Sequence, residues 1–390
     1  MTKDRPKVSV LVPIYNVQRY LRQCLDSVVN QTLKEIEIIC LNDGSTDDSL
    51  AIIKEYAAKD YRIVVVDKKN SGYGDSMNQG LKKARGEYIG IVESDDWIDI
   101  NAFEELYELA KLSEDVDVVR ANYYQTKTGV DKKFFYVDPA SIGKVVDPRQ
   151  QTWIFLQAPA IWSAIYRRDF LEQNGIDFLP TPGASYQDTG FNFKVWACAK
   201  TARFTTEAFL HYRIDNEASS VKSAGKIMNV CVEYDSIESF LKEKGLFEQL
   251  GAIMETAKFG AYYWNMLRVP PKLLDEFLQK AKKEYTEARE QGLLFEEYFG
   301  DKQKWGLVNT IIDSSLPKIK RKLIRIRLKM RLREMGKRVF FRLRPSYLKQ
   351  QEISVLISEL YSQCDILEQQ IMILESKLNA RREDDNAAEK

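Results

Sequence analysis

EYIGIVESDDWI, residues 87–98, is the stretch whose reading decides the fold. Tyr88–Val92 is a short apolar run, as expected of a strand buried on both faces, and it passes without a break into Glu93, Asp95 and Asp96. A buried strand does not tolerate three carboxylates, so the acids belong to a loop just beyond its carboxyl end. Toward the N-terminus the same pattern repeats. Lys7–Val12 reads as a β-branched strand stopping at Pro13. Ile36–Leu41 reads as a second, ending at Asn42-Asp43-Gly44-Ser45, and Arg62–Val66 as a third that leads to a loop with Gly72 and Gly74. Between them Tyr20–Asn30, Leu50–Ala58 and a stretch ending near Ala84 have helical spacing, with Thr46 or Asp47 available to cap the second. Strand and helix alternating at this rhythm predict an α/β protein with a parallel sheet. Ligands of such sheets bind beyond the carboxyl ends of the strands, where Pro13–Asn16, Asn42–Ser45, Lys68–Gly74 and Glu93–Asp96 would converge.

The alternation weakens after Asp96. Asn101–Leu112 and Gln187–Ala199 read as helices, Asp117–Ala121 as a strand, and 219–316 as almost wholly helical with a bend at Pro270-Pro271. Lys318–Lys349 then holds fourteen Lys or Arg and one acid, Glu334, a net charge of +13 in a chain whose total is +1. Leu328, Leu332, Met335, Val339 and Leu343 form one stripe inside it, suited either to an anionic membrane surface or to packing on the helical domain. Ile353, Ile357, Leu360, Cys364, Leu367, Ile371, Leu374 and Leu378 keep a heptad seam, which predicts a coiled coil joining two copies as a homodimer, or a hairpin with the preceding helices. The expected organisation is 1–218, 219–316, a basic amphipathic segment 317–349, a coiled-coil helix 350–382 and a charged tail 383–390. Five cysteines without paired spacing, an N-terminus without an apolar core and no apolar run of about 18 residues predict a cytoplasmic protein, with the basic segment able to reach the inner membrane face. The basic run lacks reading motifs and its aromatics are sparse, so no nucleic-acid partner is expected.

Glu93 and Asp95, spaced as acid-x-acid at a strand end, can chelate a hard cation such as Mg²⁺ or Mn²⁺. The alternative is a solvated loop whose Asp96 caps the next helix. The motif order VSVLVPIYNVQRYLRQCLDSVVNQT, IICLNDGSTDDS and NSGYGDSMNQGLKKARGEYIGIVESDDW resembles the family 2 glycosyltransferases of GT-A fold, a Rossmann-like mostly parallel sheet. The likeness is strong over Lys7–Ile98 and looser through AIYRRDFLEQNGI, SYQDTGFNFKVWACAK and HYRIDNEASS to about residue 220.

That resemblance implies a UDP-sugar donor, a glycan or lipid-linked acceptor, a divalent cation and inversion at the anomeric carbon. Asp43 would accept from the base, with Asn42 where the family often has Asp. Pro13, Tyr15 and Asn16 would pack on base and ribose. Gly44, Asn70, Gly72, Asn78 and Ser94 would line the donor cleft, with Met77 where Arg is common. Asp95 matches the metal ligand, and Glu93 replaces the family's first Asp. Asp188 matches the catalytic base, the alternative being that it is only a helix N-cap, and the two roles are compatible; Gln187 stands beside it where Glu is common, which would lower the Asp188 pKa relative to that pair. His211, the only histidine, is either a further metal ligand or a core residue, and Arg213 either a diphosphate contact or an ion pair. Trp153, Trp162 and Trp196 are stacking candidates or core. Two rivals stand beside this reading. A nucleotidyltransferase would need a basic Gly-rich loop after the first strand, which Pro13–Asn16 is not. A catalytically silent scaffold that dimerises at the membrane is favoured by the departures at Asn42, Glu93 and Gln187.

Overall fold

The computed structural model describes residues 5–112, 115–134, 136–216 and 227–343, with side chains to 333 in the last helix. The strands are β1 (Val8–Ile14), β2 (Ile36–Asp43), β3 (Ile63–Lys68), β4 (Tyr88–Ile91), β5 (Trp97–Ile98), β6 (Val118–Lys127), β7 (Val130–Phe134), β8 (Ala164–Arg167) and β9 (Ala202–Arg213). The helices are α1 (Gln18–Val29), α2 (Ser49–Ala57), α3 (Tyr73–Lys83), α4 (Ala102–Ala110), α5 (Thr152–Phe155), α6 (Arg168–Asn174), α7 (Gln187–Cys198), α8 (Asn229–Glu243), α9 (Phe247–Arg268), α10 (Pro271–Glu290), α11 (Glu296–Phe299), α12 (Lys302–Asp313) and α13 (Leu316–Leu343). They form two compact units, the first holding the sheet with α1–α4, α6 and α7, the second the remaining helices.

The sheet has the order β3-β2-β1-β4-β8-β6-β9-β5, with β7 beside β6. Its first half, β3-β2-β1-β4, is parallel, and β1 and β2 are buried along their whole length, which explains their largely apolar character; the buried Glu37 of β2 is paired with Arg85 at 2.7 Å. The second half is mixed: β8 runs antiparallel to β4 and β6, while β6 and β9 are parallel. The expectation of a mostly parallel sheet therefore describes one half only. β1 also runs through Pro13 to Ile14. The pairing with β4 stops at Leu11–Ile91, so only β2 flanks the strand where the proline lacks its N–H. The long β9 escaped the sequence reading because it carries extra residues between Thr205 and Leu210 opposite Ala121–Tyr123 of β6, which breaks its two-residue period.

In the helical unit, Pro270-Pro271 separates α9 from α10 as expected. The helical run breaks at Ser314-Ser315, between α12 and α13, and Pro317 marks where it restarts. This proline lies in the first turn of α13, where a missing N–H costs no helical hydrogen bond. Ile319, Leu323 and Ile326 of α13 are buried, and Lys322 donates to Thr310 Oγ1 of α12 at 2.6 Å. None of the described helices is long and apolar enough to cross a membrane. The expected coiled coil at 350–382, and with it the dimer seam, lies outside the described residues.

Candidate active site

The loops at the carboxyl ends of β1 and β2 are joined by side-chain caps. Asn16 Oδ1 accepts from Thr46 N at 2.7 Å, and Ser45 Oγ accepts from Asn16 N at 3.1 Å. Asp47 accepts from both helix starts, Gln18 N and Ser49 N, each at 3.0 Å. Tyr15 stands half exposed above this junction, while Pro13 is buried in β1.

The β2 and β3 loops are tied through Asp43. Its carboxylate accepts from Ser71 N and Gly72 N, both at 2.9 Å, and from Lys68 Nζ. Three of about four acceptor positions are thus taken by the protein itself. Asn42, the departure from the family acid, donates to Asp67 Oδ1 at 2.7 Å. Gly44, Asp67, Lys68, Lys69 and Asn70 line an open pocket of about 550 Å³. The next loop meets residues 178–183. Gly72 has φ of +98°, and a Cβ there would lie 2.7 Å from the Thr181 carbonyl oxygen; one on Gly74 would collide with the Leu179 carbonyl oxygen. Asn78 does not face the pocket with a free amide: it exchanges two hydrogen bonds with the Phe178 main chain, at 2.8 and 2.9 Å. Met77, where an Arg was expected to be common, is fully buried.

Beyond β4 the acids each have a distinct environment. Glu93 Oε1 accepts from Tyr73 OH at 2.7 Å, and Asp95 Oδ2 from Asn216 Nδ2 at 2.8 Å. Ser94 is buried between them. Asp96 does not cap α4. Its Oδ1 accepts from Arg213 N at 2.7 Å, and its buried Oδ2 has no partner among the described residues. Burial first, then repulsion from Asp95, holds Asp96 well above the usual carboxylate range. Burial likewise pushes Glu93 up to about 8, against the Tyr73 hydrogen bond and with help from Asp95 and Asp188.

Asp188 lies in the first turn of α7, partly exposed, with Oδ1 accepting from Thr189 N at 2.8 Å. Burial raises it to about 6; no charged neighbour is needed. The preceding Tyr186 has φ of +62°, a left-handed conformation that is costly for a ring-bearing residue. Gln187 is buried and donates from Nε2 to Thr181 Oγ1 at 2.8 Å and Gly183 O at 3.1 Å. A Glu could not make those bonds, which is the physical sense of this departure. Behind α7, the buried Arg120 donates to Ala160 O at 2.7 Å and Asn192 Oδ1 at 3.0 Å, and its guanidinium faces the rings of Tyr136 and Trp196. Burial first, then the charges of Asp96, Asp95, Asp188 and Glu93, pushes the Tyr212 phenol up, so all four acids lie within electrostatic reach of it. Tyr212 stacks on the half-buried Trp162 with centroids 5.2 Å apart.

Two expected site residues are used otherwise. Both nitrogens of His211 pair with carboxylates, Nε2 with Asp99 at 3.1 Å and Nδ1 with Asp131 at 2.9 Å, and its ring stacks between Trp97 and Tyr124. Arg213 donates to Asp95 O at 2.9 Å and Gln23 Oε1 at 2.7 Å, with its guanidinium over Tyr20 and Trp97, so it braces the acidic loop. Trp196 is core and Trp153 belongs to the helical unit. Tyr73, Lys68, Asn216 and Tyr212 were missed by sequence reasoning, although each flanks a motif that was read.

The acidic cluster suits a hard divalent cation: its donors are all oxygens, the buried Asp96 Oδ2 has no partner among the described residues, and burial together with mutual repulsion raises the pKa values that a cation would lower. Among the described residues no three His, Cys, Asp or Glu side chains form a ready metal-holding group. Two carboxylates completed by substrate phosphates match the habit of Mg²⁺.

Known proteins resemble this chain in sequence and in fold. Residues 9–175 match the model of glycosyl transferase family 2. The chain is 33% identical over 238 residues to glycosyltransferase GlyA of Streptococcus pneumoniae, a match covering 58% of this chain but only 33% of that protein. It is 31% identical over 261 residues to the putative glycosyltransferase EpsH of Bacillus subtilis, covering 65% of this chain and 74% of the relative. In fold it resembles S. aureus TarS 1-349, with a TM-score of 0.61 at 20% identity over 84% of this chain and 91% of that one. TarS in complex with UDP aligns over the same shares with a TM-score of 0.54.

Proposed function

The chain belongs to glycosyl transferase family 2, and from that premise we propose that it moves a sugar from a UDP-sugar to a hydroxyl of a glycan or lipid-linked acceptor, with inversion, in polysaccharide assembly. One observation carries the reading: Asp188, raised to about 6, lies within electrostatic reach of Glu93 at the end of β4 and of Tyr212. A base with a pKa just below neutral is ionised at working pH yet still takes up a proton readily. The UDP assignment is supported by S. aureus TarS, which binds UDP on a similar fold. A relative at 26% identity, a poly(ribitol-phosphate) beta-glucosyltransferase, supports a polymer acceptor.

Asp188 takes the proton of the acceptor hydroxyl. The acceptor oxygen attacks the anomeric carbon from the face opposite the nucleotide, the bond from that carbon to the diphosphate oxygen breaks, and UDP leaves as an anion. No covalent enzyme intermediate is needed. Asp95 and Glu93 would hold a Mn²⁺ or Mg²⁺ ion, which when bound neutralises charge on the departing diphosphate. His211, with both nitrogens paired, is left out of that set. Asp43 keeps the 71–72 loop in place and retains one acceptor position toward a base. The Trp162–Tyr212 pair offers an aromatic wall to the acceptor sugar beside Asp188.

A screen of UDP-sugars with Mn²⁺ tests the reading, comparing wild type with Asp188→Asn and determining the product anomer. Transfer by the wild type, lost in the variant, with inverted product is expected. Transfer undiminished in Asp188→Asn would remove the base from its role. Absence of both transfer and thermal stabilisation with every donor would favour the silent-scaffold alternative.

A further inference from the structure

We propose that the outward face of α13 is a docking surface for an anionic lipid bilayer. Two apolar rows run along this helix on different sides. Ile319, Leu323 and Ile326 are at most 7% exposed and pack into the helical unit. Ile324, Leu328 and Leu332 follow one another at four-residue steps, so they line one side of the helix, and they are 60%, 55% and 55% exposed. Between 316 and 333 the sequence has nine Lys or Arg and no acid. Three of the nine serve the fold: Lys320 pairs with Asp275, Lys322 bonds Thr310, and Arg327 donates to the Met266 carbonyl. The other six, Lys318, Arg321, Arg325, Lys329, Arg331 and Arg333, are exposed and have no hydrogen-bond or ion-pair partner among the described residues.

The partner must therefore be anionic and must also accept an aliphatic row. A bilayer surface containing acidic headgroups meets both needs. Aliphatic side chains enter the boundary between headgroups and acyl chains, while long cationic side chains reach the phosphates around them. Nucleic acid meets only the first need, because 316–333 contains no aromatic ring on which a base could stack. Each cation near an acidic membrane surface strengthens partitioning about fivefold.

The test is co-sedimentation of the full chain with large vesicles of phosphatidylcholine, alone or with phosphatidylglycerol, and it needs no substrate. Binding is expected only with phosphatidylglycerol, falling as salt is raised. Arg321→Gln with Arg325→Gln should weaken it about 25-fold. Leu328→Gln with Leu332→Gln should weaken it at least tenfold at unchanged charge. Lys82→Gln with Lys83→Gln, on exposed positions of α3, should leave it unchanged. Failure to bind phosphatidylglycerol vesicles, or full binding by the Arg321/Arg325 variant, overturns the proposal. Loss with the arginine pair but none with the leucine pair also overturns it, since the face would then recognise charge alone, as on an acidic macromolecule.

Discussion

Replacing Asp188 by Asn removes a charge that the folded protein holds at a cost. Burial moves this carboxyl from 3.8 to about 6. A raised folded-state value means that the folded protein binds the proton more tightly than the unfolded chain. The penalty is therefore small below pH 4, grows between about pH 4 and 6, and is complete above. A shift of about two units corresponds to up to about 3 kcal/mol at pH 7 and under about 1 kcal/mol at pH 4. Asn retains an acceptor oxygen for the Thr189 N–H, so that bond persists. Urea unfolding followed by tryptophan fluorescence should show Asp188→Asn more stable than wild type at pH 7, with the gap closing toward pH 4. Transfer should fall about 10²–10⁴-fold in the same variant. In the wild type, kcat/KM should rise about tenfold per pH unit up to about 6 and then level off. A variant with no pH-dependent gain in stability, together with a wild-type rate that passes pH 6 without inflection, would refute this assignment of the base.

Gln187→Glu replaces a donor to Thr181 and Gly183 by an acceptor facing the same oxygens; it should cost about 1–3 kcal/mol of stability and move the rate inflection above 6 through repulsion of Asp188. Gly74→Ala drives a methyl group into the Leu179 carbonyl and should lower the melting temperature through about 1–3 kcal/mol of overpacking while weakening UDP binding. His211 is pulled down by burial, but Asp99 and Asp131 outweigh that and raise it above 6.5. Its contribution to stability is complete below 6.5 and lost as pH rises through the folded value. As the only histidine, it should give one imidazole resonance titrating above 6.5 by NMR, which Asp131→Asn should move downward.

The parallel half of the sheet was legible because burial on both faces makes β1, β2 and β4 largely apolar runs, and because helical spacing separates them. β7 and β9 were not, since β7 is largely exposed and the β6–β9 pair breaks its own period. At the site, the acids after β4 could be placed from sequence because an apolar run gives way there to three carboxylates within four residues. Hydrogen-bond allegiance could not. Arg213 and Asn78 carry the right chemistry for a ligand, yet the tertiary fold spends Arg213 on the acidic loop and Asn78 on the Phe178 backbone. The docked face of α13 was hidden for a related reason: a helix with two apolar rows has no single preferred side, and only its neighbours select Ile319, Leu323 and Ile326.

The central claim is that the acids beyond β4 bind a cation that in turn helps bind a nucleotide diphosphate. Titration calorimetry of UDP, with and without Mn²⁺, on wild type and Asp95→Asn tests it most directly. UDP should bind the wild type at least tenfold more tightly with Mn²⁺, and Asp95→Asn should abolish that gain while leaving the metal-free affinity in place. Equal UDP affinity with and without Mn²⁺ in the wild type, or a full Mn²⁺ effect in Asp95→Asn, would contradict it.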